Sequence, residues 1–446
     1  MSRSLAFKLG AIGILIVILI IPLVQISNLN IERQQRRDGV VQDIARSSSY
    51  SQTLTGPVLV VPYRKTERSW REDATTHQRS IEERTVSGEL YFLPETFSLD
   101  GQLKSEERSR GIYVARLYHS VNQITGSFSI PENLGVTDDY GLYRFDTAYV
   151  VLGISDIRGI EDSLTVQMDD KALKFEPGAN SKVLGSGVHV MLPTLDQKSA
   201  KTYSFEMQLK LQGTSEFQIT PVGRTSKIAL KSDWPNPSFI GEYLPAERGV
   251  DAHGFSAVWN STFFSTNLAE ALDDCAHTGN CGAFNSRHMG VSLIDPVDQY
   301  LKTDRATKYA LLFVALTFAG FFLFEVLKQL AVHPIQYGFV GLALALFYLL
   351  LLSLSEHIGF GLAYFISSTA CVALIGFYVM HVLHSLMRGA GFAAALATLY
   401  ALLYGLLSAE DYALLMGSLL VFGLLAAVMI LTRNINWFGI TAKSAA

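Results

Sequence analysis

The 446-residue chain has only three cysteines, and no stretch of it is basic enough to suggest a nucleic-acid partner. It also lacks a Gly-x-Ser-x-Gly turn, a His-Glu-x-x-His zinc-protease signature and a phosphate-binding Gly-Lys-Ser/Thr loop. These absences remove the familiar signatures of serine hydrolases, zinc proteases and nucleotide-binding domains. The formal net charge of −4 averages two unlike regions and says little about partners. The hydrophobic pattern is therefore the most informative feature that remains.

Long apolar segments occupy the start and the last third of the chain. Each is close to the roughly 20 residues that a helix needs to cross the core of a bilayer. The sequence therefore predicts a polytopic α-helical membrane protein, with one N-terminal and five C-terminal transmembrane helices and a large extramembrane domain between them. The predicted spans are residues 9–26, 309–327, 335–355, 358–380, 389–408 and 412–432.

The first span resembles a secretory signal peptide at its start, because Arg3 and Lys8 precede the apolar run. The run is long for a signal peptide, however, and residues 24–28 lack the small-x-small pattern of a cleavage site. We therefore expect an uncleaved signal anchor, with cleavage as the alternative.

Orientation is predicted from the charges of the short loops. With both termini in the cytoplasm, four cationic residues lie on the cytoplasmic side, and the short loops on the other side contain no Lys or Arg. Arg33, Arg36 and Arg37 argue the other way, but long domains are translocated largely regardless of such charges. We expect both termini to lie inside the cell and the large domain outside, which in a Gram-negative cell means the periplasm. The four cytoplasmic cations are Lys328, Arg388, Arg433 and Lys443.

The extramembrane domain, residues 30–305, is predicted to be mainly β. Short runs of β-branched and aromatic residues recur between Gly, Pro, Asn and Asp, and residues 203–211 alternate apolar and polar side chains as a half-buried strand requires. This pattern favours a sandwich-like structure or a larger two-sheet structure, in one lobe or in two lobes divided near 234–237. The clearest predicted strands are 57–63, 88–94, 111–119, 145–154, 188–193, 202–212 and 225–231.

Cys275 and Cys281 lie six positions apart within the predicted periplasmic domain. An oxidising compartment favours a disulfide between them. The alternative is a metal site that also uses His277, but this spacing matches no common zinc pattern. Cys371 falls in a predicted span, where a small packing residue is expected.

The return to the membrane carries strong helix-start signals. Asp295 is a suitable cap, Pro296 suits the first helical turn, and Asp298 would meet the positive end of the helix dipole. No helix-breaking residue follows until the span is complete. The sequence therefore predicts one helix over 296–328, with its first turns outside the membrane.

Ionisable residues in the spans are the usual place to look for function. Glu325 lies three positions before Lys328, and an interfacial ion pair explains it without a functional role. The alternative is that Glu325, His333, His381 and His384 converge on a cation at the cytoplasmic face. We expect no bound metal and no other cofactor.

A second polar group, Glu356 with His357, ends the third span after Ser355. It suggests a proton relay or a hydrolase, but a Ser–His nucleophile needs a third orienting group and an oxyanion site, and the sequence gives no signature of either. Helix capping by Ser355 beside interfacial charge is the simpler interpretation. We therefore expect no catalytic residues, and we keep Glu356 and His357 as functional candidates.

Three segments resemble the CreD family of bacterial inner-membrane proteins. They are Gly-Pro-Val-Leu-Val-Val-Pro-Tyr at 56–63, Asp-Pro-Val-Asp at 295–298, and the stretch from His-Pro-Ile-Gln-Tyr at 333–337 to Leu-Phe-Tyr-Leu-Leu-Leu-Leu-Ser-Leu-Ser-Glu-His-Ile-Gly-Phe at 346–360. The resemblance covers nearly the whole chain. It implies a Gram-negative inner-membrane protein of this layout, linked to envelope integrity and to a Cre-type two-component regulon. It implies no reaction, ligand or catalytic residues.

Three functions remain open. The first is a non-enzymatic factor for envelope integrity or envelope stress, whose β domain binds envelope proteins, lipids or glycans. The second is a transporter or permease-like component, and the third is an enzyme that modifies envelope lipid or cell-wall material. The lipid bilayer is a partner in every case, and nucleic acid in none. The expected organisation is a cytoplasmic N-terminus and anchor at 1–29, the β domain at 30–305 with a helix at 296–308, a helical bundle at 306–433 and a cytoplasmic tail at 434–446.

Overall fold

The computed structural model describes most of the chain. The described residues are 2–72, 79–193, 195–293, 298–328, 332–383, 385–408, 415, 417–419, 422–423, 426, 429–430 and 433. They form two compact units. The helical unit comprises Met1–Asp38 and Val297–Ala446, and the β unit comprises Gly39–Pro296.

Long helices build the helical unit, and short helices connect strands in the β unit. In chain order, the described helices are α1 Ser2–Ser47, α2 Phe263–Thr266, α3 Leu268–Thr278, α4 Gly282–Ser286, α5 Gln299–Lys308, α6 Ala310–Lys328, α7 Pro334–Ile358, α8 Phe360–Val382 and α9 Leu386–Ser408.

The β unit is mainly strand, as the sequence predicted. Its described strands are β1 Gln52–Glu72, β2 Arg79–Phe92, β3 Thr96–Arg110, β4 Tyr113–Ile130, β5 Tyr143–Phe145, β6 Tyr149–Ile154, β7 Thr165–Met168, β8 Lys171–Lys174, β9 Glu176–Pro177, β10 Gly187–Met191, β11 Lys201–Thr214, β12 Glu216–Thr220, β13 Thr225–Ser232, β14 Pro237–Gly241, β15 Glu247–Asp251, β16 Gly254–Thr262 and β17 Met289–Leu293.

The described strands form two sheets. The first has the order β14-β17-β12-β1-β6-β10-β9, with β2 and β5 also paired to β1. The second has the order β15-β16-β13-β3-β4-β11-β7-β8. Pairing is antiparallel except between β1 and β12 and between β3 and β13, which run parallel. Most neighbours are therefore joined without the long crossovers that parallel pairs need.

Side-chain periodicity explains how both sheets contribute to one core. Along β11, Tyr203, Phe205, Met207, Leu209 and Leu211 are all buried while most residues between them are exposed, so the predicted alternation is confirmed. The middle of β1 differs, because its consecutive valine and leucine side chains at 58–61 are all fully buried. A strand covered on both faces needs such a continuous apolar run.

The charged segment at 66–85 lies mostly on β1 and β2, which pair with each other as the two arms of a hairpin. β1 and β2 pair in antiparallel register from Leu59 with Phe92 as far as Glu72 with Arg79. Arg68 and Glu83 form an exposed ion pair across it. The hairpin therefore extends the first sheet into polar surroundings.

Four described helices are long and apolar enough to cross a membrane, in the segments Phe7–Ser47, Pro334–Ile358, Phe360–Val382 and Leu386–Ser408. The segments Gln299–Lys308 and Ala310–Leu323 together make a fifth candidate, bent by 44°. The predicted span at 412–432 lies mostly outside the described residues.

The prediction of one uninterrupted helix over 296–328 is wrong. It breaks at Tyr309 into α5 and α6. Asp298 caps α5 by accepting from the backbone N–H groups of Tyr300 and Leu301. Residues 295–297, where the cap was predicted, lie outside the described residues. The hydroxyls of Thr303 and Thr307 each donate to the carbonyl four residues earlier, an arrangement that bends helices.

Close packing in the helical unit depends on one small residue of α7. A Cβ at Gly341 would collide with Leu19 of α1 and with Phe318 of α6. Because lipid provides no hydrophobic drive for helix association, such close approach supplies the packing that holds membrane helices together. Gly341 therefore lets α1 and α6 meet α7.

Candidate functional site in the helical unit

Polar side chains gather at the end of α7 that leads to Ile358. They come from three helices that are far apart in the chain, and we call them the junction network. Its members are Asn30, Arg33 and Arg37 of α1, Asp298 and Tyr300 at the start of α5, and Glu356 of α7.

Asp298 and Arg37 form the first link of this network. Arg37 Nη1 donates to Asp298 Oδ2 at 2.7 Å, and Asp298 Oδ1 accepts from the backbone N–H of Tyr300 at 2.9 Å. The Arg37 guanidinium also lies 5.5 Å from the centre of the Tyr300 ring. One carboxylate thus caps α5 and pairs with a cation of α1.

Tyr300 forms the second link through both its backbone and its side chain. It is buried, its carbonyl accepts from Asn30 Nδ2 at 3.0 Å, and its hydroxyl donates to Glu356 Oε1 at 3.1 Å. The other Asn30 side-chain atom, Oδ1, is buried without a hydrogen-bond partner among the described residues. α1, α5 and α7 are therefore joined by direct polar contacts.

Glu356 was predicted as a functional candidate, and its contacts are with neighbouring helices. Its carboxylate lies 3.8 Å from Arg33 Nη1 and is 9% exposed. His357, the adjacent candidate, is exposed, and no hydrogen bond or ion pair to it is found in the described part of the chain. Glu356 is therefore engaged by neighbouring helices, and the relay suggested for Glu356 and His357 stays a prediction.

The cap predicted at Ser355 is wrong, because α7 continues to Ile358. Ser355 is buried and its hydroxyl donates to the carbonyl of Leu352 at 2.9 Å. The helix ends at Gly359, whose φ of 77° suits a residue without a Cβ. Ser355 is thus committed to its own helix and is not placed as a nucleophile.

A second polar group lies at the other end of α7 and contains Glu325. Glu325 is 5% exposed, forms an ion pair with Lys8 of α1, and accepts from the hydroxyl of Tyr337 at 2.8 Å and from the backbone N–H of Val332 at 3.3 Å. The sequence suggested Lys328 as its partner, and the Lys328 side chain lies outside the described residues. The Lys8 partner had no signal in the local sequence, since the two residues are 317 positions apart.

The histidine candidates on this side have ordinary local roles. His333 caps α7: its Nδ1 accepts from the N–H of Ile335 at 3.3 Å. His381 is exposed and its Nδ1 lies 2.9 Å from the carbonyl oxygen of Phe377. His384 lies outside the described residues. Within the described part of the chain, no group of three or more His, Cys, Asp or Glu residues is arranged to hold a metal ion.

The cysteines of the β unit are joined as a disulfide, Cys275 to Cys281. This bond links the last turn of α3 to the residue that precedes α4. His277 is not brought to the sulfurs but lies beside Asp273, with Nδ1 3.3 Å from Oδ1. Cys371 is buried, and it contacts Tyr400, whose hydroxyl lies 3.2 Å from its Sγ.

Two hydroxyls in the interior of the helical unit stand apart from both groups. Tyr348 Oη and Ser367 Oγ are buried and have no hydrogen-bond partner among the described residues. Unpaired buried hydroxyls cost stability. No sequence pattern distinguished them from packing residues.

Known proteins with similar sequences belong to one family of inner-membrane proteins. A family model described as "Inner membrane protein CreD" matches residues 4–438. The chain belongs to the CreD family. The CreD protein of Escherichia coli (strain K12), an inner membrane protein, is 37% identical over 438 residues, which is 98% of this chain and 95% of the relative. CreD membership and the apolar helices together identify a membrane protein of the cell envelope.

Solved structures add nothing to the CreD assignment. A mutant M1 zinc metallopeptidase from Deinococcus radiodurans, bound to a Tyr-Ser-Ala substrate, is 10% identical with a TM-score of 0.21, over 38% of this chain and 39% of the peptidase chain. Another M1 zinc metallopeptidase structure from the same organism is 8% identical with a TM-score of 0.19, over 38% of each chain. At these values neither likeness bears on fold or function.

Proposed function

We propose that the protein is a non-enzymatic inner-membrane factor that maintains cell envelope integrity. In this proposal the β unit lies in the periplasm and binds envelope proteins, lipids or glycans, while the helical unit anchors it. The observation that carries the proposal is CreD membership over nearly the whole chain, joined to a layout with one large β unit between membrane helices.

The anchor in this proposal has six spans: α1, the bent pair of α5 and α6, the three helices α7 to α9, and the segment at 412–432. Both termini are cytoplasmic, and the two sheets of the β unit pack as a sandwich-like structure. Arg33 and Arg37 were the charges that argued against this orientation. Arg33 pairs with Glu356 and Arg37 pairs with Asp298, and each carboxylate offsets the positive charge of its arginine. The pairing therefore supports the proposed orientation. Each arginine is accompanied by a carboxylate on the same side of the helical unit.

A non-enzymatic role is supported by how the acidic candidates are used. Glu356 binds Arg33 and Tyr300, and Glu325 binds Lys8 and Tyr337. Carboxylates engaged in this way hold helices together, whereas a general acid or base must reach a substrate proton.

The alternatives of transport and enzymatic action are separated by one capture experiment. The full-length tagged protein is crosslinked mildly in native membranes, purified, and its associated proteins and lipids are identified by mass spectrometry. A reproducible envelope protein crosslinked through the β unit supports the proposal. An associated ATPase would instead favour a transporter, and a stoichiometric lipid or glycan without a protein would contradict a simple scaffold.

A genetic experiment tests directly the alternative that the protein is an enzyme. The double variant Glu356→Gln with His357→Ala is expressed in a Gram-negative strain without its own CreD-family gene, and resistance to detergent is compared with the unmodified chain at matched protein levels. We expect equal protection. Loss of protection with normal protein levels and unfolding behaviour would favour the enzyme.

A further inference from the structure

Strand β2 ends the first sheet on one side of β1. Its only strand partner among the described residues is β1. The parallel partner of β1, β12, pairs with β1 only at residues 52–55, and the pairing of β2 with β1 starts further along, at Leu59. Within the part of the chain that the structure describes, the other edge of β2 therefore carries no strand. Such an edge presents a row of backbone donors and acceptors to an added strand.

The pairing of Pro62 with Glu89 shows which backbone groups of β2 point away from β1. Proline has no N–H, and the Pro62 carbonyl accepts from Asp146 N at 2.9 Å, so the Pro62–Glu89 pair is not hydrogen-bonded. The ladder bonds to β1 then belong to Leu90 and Gly88, and the N–H and C=O of Glu89 point away. By the same alternation, those of Tyr91 also point away, and no hydrogen bond to either pair of groups is found among the described residues.

A cleft of about 430 Å³ lies along this edge, within the β unit. This volume is within the range of ligand sites. One part of its wall is the segment from Glu89 to Leu93, and a second part is α3, which contributes Leu268 and Leu272. Buried Leu134 and Val222 complete its apolar surface. Because the Cys275–Cys281 disulfide fastens the last turn of α3, that part of the wall is covalently held.

The charges around the cleft indicate the partner. Its lining contains three carboxylates, those of Glu89, Glu95 and Asp273, and one guanidinium, that of Arg224. Arg224 Nε lies 3.6 Å from Glu95, so that pair is already neutralised. The Glu89 carboxylate accepts from the Tyr91 hydroxyl and the Asp273 carboxylate lies beside His277, and these two carboxylates give the cleft its acidic side. A cationic partner is therefore favoured by charge complementarity.

We propose that this cleft binds an extended peptide segment of an envelope protein, as a strand added to the free edge of β2. Backbone bonds to Glu89 and Tyr91 provide affinity, the apolar wall of α3 accepts aliphatic side chains, and the carboxylates select basic residues at alternate positions. The inference rests on the proposed function, since it names where and how the β unit binds a partner.

The test uses the full-length protein in lipid nanodiscs and a labelled peptide of alternating valine and lysine, followed by fluorescence anisotropy. Two control peptides accompany it: the same sequence with alternate backbone nitrogens methylated in either register, and a valine–glutamate peptide. We expect the valine–lysine peptide to bind, and each control to bind at least about tenfold more weakly. Equal binding by the methylated peptides would overturn the added strand.

Variants locate the binding. Glu89→Pro removes an outward N–H without removing a bond to β1, and Glu89→Gln removes only the charge. Ala269→Arg, at an exposed position of α3 in the cleft lining, places a large side chain in the cleft and leaves the sequence of β2 unchanged. We expect about tenfold or greater loss for Glu89→Pro and Ala269→Arg, a smaller loss for Glu89→Gln, and none for Glu247→Gln on the second sheet.

The outcomes separate this inference from the proposed function. Unchanged binding by Ala269→Arg, or no binding of the valine–lysine peptide at concentrations up to about 1 mM, would overturn the cleft as the site. If envelope proteins were still captured through the β unit in that case, the proposed function would stand and only the binding place would be wrong. Peptide binding lost on Ala269→Arg, with no envelope partner captured, would support the cleft and contradict the proposed function.

Discussion

Arg37 and Asp298 form an ion pair of 2.7 Å although they are 261 positions apart in the chain. The same Asp298 carboxylate caps α5 by accepting from Tyr300 N and Leu301 N. A residue that does both joins the N-terminal anchor to the first C-terminal helix at the point where that helix begins. This relationship makes the junction network a structural element with measurable stability.

Asp298→Ala is expected to destabilise the protein more than Arg37→Gln. The alanine removes both the cap, worth about 1 kcal/mol, and an ion pair that is partly exposed and worth less than about 1 kcal/mol. Asp298→Asn keeps a capping oxygen and should resemble Arg37→Gln. Unfolding by denaturant in mixed micelles measures the differences. Arg36→Gln is the control, because the only ion-pair partner of Arg36 among the described residues is exposed Glu32 in the same helix. Equal effects of Arg36→Gln and Arg37→Gln would contradict the network.

Glu325→Ala is expected to cost about 2–3 kcal/mol in the same unfolding measurement. It leaves the buried hydroxyl of Tyr337 and the N–H of Val332 without their acceptor, and a buried unsatisfied donor is expensive. Glu325→Gln keeps an acceptor and should cost less, most clearly when combined with Lys8→Met. If Glu325→Ala and Glu325→Gln were equally stable, the hydrogen bonds to Glu325 would not matter.

Tyr348→Phe is expected to leave stability unchanged or to raise it. The Tyr348 hydroxyl is buried without a partner among the described residues, so its removal loses no bond and relieves a desolvation cost. Tyr337→Phe is the matched variant, and it should destabilise because its hydroxyl donates to Glu325 at 2.8 Å. Thermal unfolding in detergent compares the two; destabilisation by Tyr348→Phe equal to that of Tyr337→Phe would be the contrary result.

The stability of the β unit should fall as the pH rises through the pKa of His119. Burial of the imidazole lowers its pKa, but hydrogen bonds to Glu106 and Glu161 outweigh that effect and raise the pKa from its ordinary value. The folded state therefore binds this proton more tightly, and the gain is present below the unfolded pKa of about 6.5 and lost at higher pH. We expect the melting temperature of His119→Gln to lie further below that of the unmodified protein at about pH 6 than at about pH 9. An equal difference at both pH values would be inconsistent with the raised pKa.

Local patterns were enough to predict the β unit and the apolar helices. Strand alternation such as that of β11 depends on neighbours two positions apart, and the spans depend on continuous runs. The break at Tyr309 was missed because no Pro or Gly marks it. The threonine hydroxyls at 303 and 307 each donate to the carbonyl four residues earlier, an arrangement that favours bending and that an unbroken helix also tolerates.

The sequence predicted the acidic residues of the candidate site but not their partners. Glu325 and Glu356 stood out as ionisable residues at the ends of apolar segments, whereas their partners Lys8, Arg33 and Tyr300 lie far away in the chain. A single sequence gives no signal for such pairs. Arg33 and Arg37 were visible only as charges that opposed the predicted orientation, and their pairing gives them another reason to be there.

The most direct test of the account is to determine where the β unit lies. Single cysteines are introduced at exposed Ser199 of the β unit and at exposed Met387 near the start of α9, and cells with a permeabilised outer membrane are treated with a maleimide that does not cross the inner membrane. The unmodified chain is the control, since its cysteines are buried or in a disulfide. The account predicts labelling of Ser199→Cys at once and of Met387→Cys only after the inner membrane is disrupted. The reverse pattern would place the β unit in the cytoplasm and would contradict binding to envelope components in the periplasm.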